Sequence, residues 1–224
     1  MPLPAPVPSS VSVVLTATRG TRLGDSLDSV LAQSRPCREV IVVADAHDAE
    51  TARVLRPFGT AIRCLAPDRP GPGAARNRGV QAARGDLVAF LDGGDRWTVD
   101  SLALRLDSLL AHPALDYTFG WIHTGGDTPD GAPGRVLPGR EAGALLVRRQ
   151  VFATVGLFDE HLRHGEALAW IARANAAGCR ARDVGALVLL RTHTASAASP
   201  QTEPLRRNPR RSGVEPRQRI PDPA

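Results

Sequence analysis

The apolar residues of this chain follow two rhythms. Residues 11–15 (VSVVL), 40–43 (VIVV) and 87–91 (LVAFL) are nearly unbroken apolar runs of four or five. Runs of that length suit strands covered on both faces. Between them the spacing changes. Leu23, Leu27, Val30 and Leu31 recur at helical intervals and predict an amphipathic helix over 21–33. Residues 49–55 predict a second helix, stopped by Pro57 and Gly59, and 61–65 a third strand. Residues 74–83 are rich in Ala and Arg and read as a helix, which Gly85 and Asp86 break before the run at 87–91. Leu102, Leu106, Leu109 and Leu110 place one more helix. Strands alternating with helices imply right-handed crossovers and an α/β fold with a mostly parallel central sheet and helices on both faces.

Past residue 110 the alternation weakens, and a smaller mixed region is expected. Residues 115–122 and 144–147 read as strands, 125–139 as a loop rich in Gly, Pro and Asp, 166–177 as a helix and 187–190 as a last strand. Trp170, with Leu168 and Ile171, is assigned to the core. The expected organisation is a Pro-rich leader over 1–10, one domain over 11–198 and a disordered basic tail over 199–224.

Composition refines this. Hydrophobic residues make up 42% of the chain and aromatics 4%, so Ala, Val and Leu must build the core. All 28 basic residues are arginine, and the net charge is +5. More than half of that excess falls within residues 201–224. A basic tail suits weak contact with an anionic membrane surface. It does not make the basic face that specific nucleic-acid binding needs. Cys37, Cys64 and Cys179 lack metal-ligand spacing and read as free thiols in a cytoplasmic protein. The first ten residues have no signal-peptide pattern, and no apolar stretch is long enough to span a membrane.

Chemistry concentrates in residues 71–97 (GPGAARNRGVQAARGDLVAFLDGGDRW). Gly71 and Gly73 suit positive φ and close approach of a ligand. The run at 87–91 ends in Asp92-Gly93-Gly94-Asp95. A carboxylate just past a parallel strand sits where open α/β sheets bind ligands. There it can hold Mg²⁺ or Mn²⁺ against a diphosphate.

Six blocks in order carry a resemblance to a known family: VSVVL at 11–15, LDSVLAQS at 27–34, EVIVVAD at 39–45, GPGAARNRGVQAARGDLVAFLD at 71–92, GLFDEHLRHGE at 156–166 and RTHTAS at 191–196. Together they resemble the inverting family 2 glycosyltransferases with a GT-A fold. The resemblance implies transfer of a sugar from a nucleotide-diphosphate donor to an acceptor, here unknown, with inversion and with a divalent ion. It implies donor contacts from Thr16, Asp45, Arg76 and Asp92 and metal contacts from Asp92 and His193; Asp95 is the candidate substitute for a missing metal ligand and Glu166 for the missing base. Thr18-Arg19 stands where the family often has Tyr-Asn, and three acidic positions depart from the pattern. Ala44 replaces an acid after the second strand, Gly94 replaces the second acid of the Asp-x-Asp motif, and Ala167 replaces the Asp of the usual Glu-Asp pair. Two readings therefore stay open. One is a transferase with Glu166 as substitute base, and the other a non-catalytic GT-A module that binds a nucleotide or a partner.

Overall fold

Strand β1 (Val11–Thr16) lies at the centre of a parallel quartet. It pairs on one side with β2 (Glu39–Val43) and on the other with β4 (Leu87–Asp92), while β2 pairs with β3 (Arg63–Leu65). The computed structural model describes residues 10–17, 22–45, 47–125 and 134–191. The expected leader and tail, apart from Ser10, fall outside these residues. The other strands are β5 (Arg96–Trp97), β6 (Tyr117–Thr124), β7 (Arg135–Pro138), β8 (Leu145–Arg148) and β9 (Ala181–Arg191). The sheet order is β3-β2-β1-β4-β8-β6-β9-β5, with β7 paired to β6. Beyond β4 the pairings become mixed: β8 is antiparallel to both β4 and β6, whereas β9 is parallel to β6.

The helices cover both faces. On one side α1 (Leu23–Leu31), α2 (Ala49–Leu55) and α4 (Ser101–Ala111) pack Leu27, Val30, Leu55, Leu102 and Leu106 onto Val13, Leu15, Val42 and Leu91. On the other, α3 (Pro72–Ala82), α5 (Val151–Val155) and α6 (Glu166–Ala176) pack Val80, Phe152 and Trp170 onto Val14, Ile41, Val88 and Phe90. Strand residues alternate between these layers, because successive side chains point to opposite faces. Trp170 is fully buried among Phe152, Phe158 and Tyr117, and its Nε1 donates to the Gly156 carbonyl at 2.9 Å. Truncating such a residue to Ala typically costs about 3–5 kcal/mol.

A fully buried Arg105 braces the segment after the acidic turn. Its guanidinium donates to the Leu145 carbonyl at 2.8 Å and lies 4.5 Å over the Trp97 ring. Burial pushes its pKa down to about 9.

The fold class agrees with the sequence reading, with local differences. The expected loop over 125–139 contains β7, although residues 126–133 lie outside the described set. The third strand starts later, because Arg56–Ala61 forms a 3-10 turn instead. The last strand is longer than expected, and β5 and α5 were not anticipated. Leu168 is 50% exposed, so it is not core. All three cysteines are free. Among the described residues, no helix is long and apolar enough to cross a membrane.

Candidate active site

The carboxyl ends of the four parallel strands lie level. Thr16 pairs with both Val43 and Asp92, and Val43 pairs with Leu65. Ligands of open α/β sheets bind at such an edge. Asp45 follows Val43 by two residues, so it belongs to the same edge as Asp92. It is exposed, and its Oδ1 accepts the His47 backbone N–H at 2.9 Å.

Asp92 is the centre of a charge cluster. Its Oδ1 accepts the Thr16 hydroxyl at 2.8 Å. Nη2 of Arg76 donates to both Asp92 oxygens, at 2.6 and 2.7 Å. Nη1 of Arg76 donates to Oε1 of Glu166, the first residue of α6. Arg76 is 4% exposed and Glu166 7%, whereas the Asp92 side chain stays 41% exposed. Burial works against the Arg76 charge, but the two carboxylates outweigh it and hold the guanidinium above its ordinary pKa. Two anions against one cation leave a net negative charge, and Asp92 presents it to solvent. Each carboxylate oxygen has two lone pairs, so Asp92 can still accept hydroxyl donors on its open side.

The acidic turn is held rigidly. The Gly93 N–H donates to the Thr16 carbonyl at 2.7 Å, and the Asp95 N–H to the Asp92 carbonyl at 3.0 Å. The Ser26 hydroxyl, on α1, donates to the Asp95 carbonyl at 2.7 Å and accepts the Gly94 N–H at 2.8 Å. Gly94 has φ +101°, a conformation that strains any other residue. The missing second acid thus falls where this turn calls for glycine.

The structure places several of the expected residues in contacts the sequence did not indicate. Arg76 was expected to reach the donor, but it is buried between two carboxylates. Glu166 was expected to act as base. A base must come within about 2.6–3.2 Å of the proton it takes. The buried Glu166 carboxylate faces Arg76 instead. Gly71 has φ +125°, as expected, but Gly73 lies inside α3. There a Cβ would stand 2.6 Å from the Asp159 carbonyl, so the space at Gly73 is filled by the chain itself rather than by a ligand. Sequence reasoning missed Ser26, for which no spacing rule exists. It also missed Asn77, whose side chain accepts the Phe158 N–H and donates to the Phe158 carbonyl and to Glu160, each at 2.9 Å. Its place beside Arg76 in the family block was the available signal.

Asp92 is the described carboxylate that would help hold a divalent ion, since Mg²⁺ is often bound by one or two carboxylates together with water and phosphate oxygens. Both Asp92 oxygens accept from Arg76 but keep lone pairs on the open side, whereas the backbone of Asp95, itself 9% exposed, is bound into the turn. Among the described residues, no three His, Cys, Asp or Glu groups converge to hold a metal. His193 lies outside those residues.

An acidic turn at the carboxyl edge of such a mixed sheet defines a GT-A fold. The same fold occurs in TarS of S. aureus, at a TM-score of 0.66 and 17% identity, over 82% of this chain and 37% of that one. It occurs also in GalNAc-T7, solved with UDP, GalNAc and Mn²⁺, at a TM-score of 0.65 and 16% identity over 82% and 44%. The model for glycosyl transferase family 2 matches residues 12–159, and the chain belongs to that family. Curated relatives include the succinoglycan biosynthesis protein ExoO of Rhizobium meliloti, 37% identical over 115 residues. That match covers 49% of this chain and 33% of ExoO. The putative teichuronic acid biosynthesis glycosyltransferase TuaG of Bacillus subtilis is 31% identical over 103 residues, 43% of this chain and 41% of TuaG. The matches thus span between a third and two fifths of these two relatives' lengths.

Proposed function

We propose that this protein transfers a sugar from a nucleotide-diphosphate donor to an acceptor with inversion. Family membership supports the reading, as do relatives named as glycosyltransferases and the UDP-GlcNAc complex of TarS. The observation that carries it is Asp92: a carboxylate fixed by Thr16 and Arg76 at the carboxyl edge, with its open side toward solvent.

In this reading Asp92 accepts hydroxyls of the donor's ribose or sugar, and Asp45 receives the base from the end of β2. Arg76 and Glu166 act on Asp92 as positioning residues. A divalent ion held beside Asp92 would neutralise charge on the leaving diphosphate. Three free cysteines support a reducing, cytoplasmic setting. A second reading, a non-catalytic nucleotide-binding module, draws support from Gly94, from Ala167 and from the engagement of Glu166 by Arg76.

Calorimetry with UDP and GDP, followed by a nucleotide-sugar panel assayed for transfer and donor hydrolysis, separates these. Binding with turnover is expected. Binding without turnover on any donor would favour the module, and no binding with or without Mn²⁺ would overturn both.

A further inference from the structure

The chain has three tryptophans. Trp97 and Trp170 are 4% and 0% exposed, but Trp121 on β6 is 39% exposed. Its indole Nε1 donates to Asp183 Oδ2 at 2.9 Å, and Asp183 Oδ1 accepts the Gly185 N–H at 2.8 Å. The polar end of the ring is therefore anchored while its apolar surface meets water. Leaving that surface exposed forgoes the gain of burying it.

The strand register places Trp121 with respect to Asp92. Ala89 of β4 pairs with Leu146 of β8, which pairs with Thr118 of β6. Both β4 and β6 run antiparallel to β8, so they point the same way. Asp92 lies three residues beyond Ala89, and Trp121 three beyond Thr118. The two are level at one edge.

They also share a face. Phe90 and Tyr117 lie in the layer beneath α3, α5 and α6, and Phe119 packs against it. Asp92 follows Phe90 by two residues, and Trp121 follows Phe119 by two. The irregular register along β6 and β9 inserts its extra residues into β9, so the alternation of β6 is undisturbed. Where β8 pairs with both, two strand spacings, roughly 10 Å, separate β4 from β6. Farther along, the side of β6 that faced β8 is taken by Pro138 of β7, opposite Trp121, and the short turn Ala142–Ala144 leads from there into β8.

We propose that Trp121 is the acceptor platform and that the acceptor is a carbohydrate whose ring stacks on the indole. This rests on the transferase reading above. The C–H face of a sugar ring is weakly positive and apolar, which matches the negative face of an indole. The sugar's hydroxyls then point to the rim, where Asp183 offers a fixed carboxylate and His123, two residues along β6, an imidazole. Pro138, paired opposite Trp121, and Val136, opposite His123, extend the apolar floor.

The test uses the full chain saturated with UDP and titrated with cellohexaose, chitohexaose and hexagalacturonate. At least one saccharide should shift the emission of the exposed tryptophan to the blue. By calorimetry, Trp121→Ala should then weaken saccharide binding about tenfold and Trp121→Phe less, since an aromatic contact adds about 0.5–1.5 kcal/mol beyond its buried area. Asp183→Ala, which frees the ring, should weaken it several-fold, and Asp183→Asn, which retains an acceptor, should rescue it. UDP affinity should be unchanged throughout. Saccharide affinity within twofold of wild type in Trp121→Ala would overturn the proposal. So would UDP binding with no response to any saccharide. If the wild-type protein binds GDP and not UDP, GDP takes the place of UDP throughout; failure to bind either would instead sink the transferase reading, and this proposal with it.

Discussion

Replacing Arg76 with methionine takes the guanidinium from Glu166, which is 7% exposed, and from Asp92, which is half open to water. The two arms should cost different amounts. Removing one partner of a buried ion pair strands the other charge and typically costs about 3–5 kcal/mol. The Asp92 arm adds little, because water can solvate its open side and exposed pairs are worth about 0–1 kcal/mol. The expected loss is therefore about 3–5 kcal/mol, carried by Glu166. For a chain of this size each kcal/mol lowers Tm by about 2–4 °C, which gives a fall of roughly 6–20 °C. The double variant Arg76→Met/Glu166→Met should recover most of it, since no buried charge is then left unpaired. Urea unfolding followed by tryptophan emission at pH 7 measures both, provided the slope m is unchanged. A single variant within about 1 kcal/mol of wild type, or a double variant no more stable than the single, would refute the view that Arg76 chiefly neutralises a buried Glu166.

Two further outcomes follow from packing and charge. Gly73→Ala adds a Cβ 2.6 Å from the Asp159 carbonyl, so α3 and the loop before α6 must separate. Overpacking of this kind costs about 1–3 kcal/mol, despite the better helix propensity of alanine, and an unchanged Tm would contradict it. Burial alone would raise the pKa of Glu39, but the Ser12 hydroxyl at 2.6 Å, the Arg84 N–H at 2.7 Å and the Arg63 charge outweigh it and lower it below its ordinary 4.5. A carboxylate lowered in the folded state stabilises above its unfolded pKa, and the gain disappears as pH falls through the folded value. Glu39→Gln should thus cost about 1–2 kcal/mol at pH 7 and much less near pH 3, as unfolding across pH would record.

Much of the framework could be read from local pattern. The runs at 11–15, 40–43 and 87–91 became β1, β2 and β4 almost residue for residue, because a strand buried on both faces needs an unbroken apolar stretch. The Gly-rich block and the acidic turn marked the ligand edge for the same local reason. The misses have a physical cause as well. Strand β5 has two residues and no periodicity, and it exists because Arg96 and Trp97 pair with Leu190 and Leu189. Strand β7 hides in a stretch rich in Gly and Pro and is held by β6.

Among the site residues, Thr16, Asp45, Arg76, Asp92 and Glu166 were nameable from the sequence, but their relations were not. Arg76 meets Glu166 across 90 positions, Thr16 meets Asp92 across 76, and Ser26 reaches Asp95 across 69. No spacing rule spans such intervals. Local hydrophobic rhythm determined which segments became strands and helices, since burial acts on each segment by itself. Tertiary packing alone decided that Arg76 turns inward to Glu166 and that Trp121 stands level with Asp92. Those outcomes depend on how whole elements stack and which strands pair, and therefore on the balance of every buried contact at once.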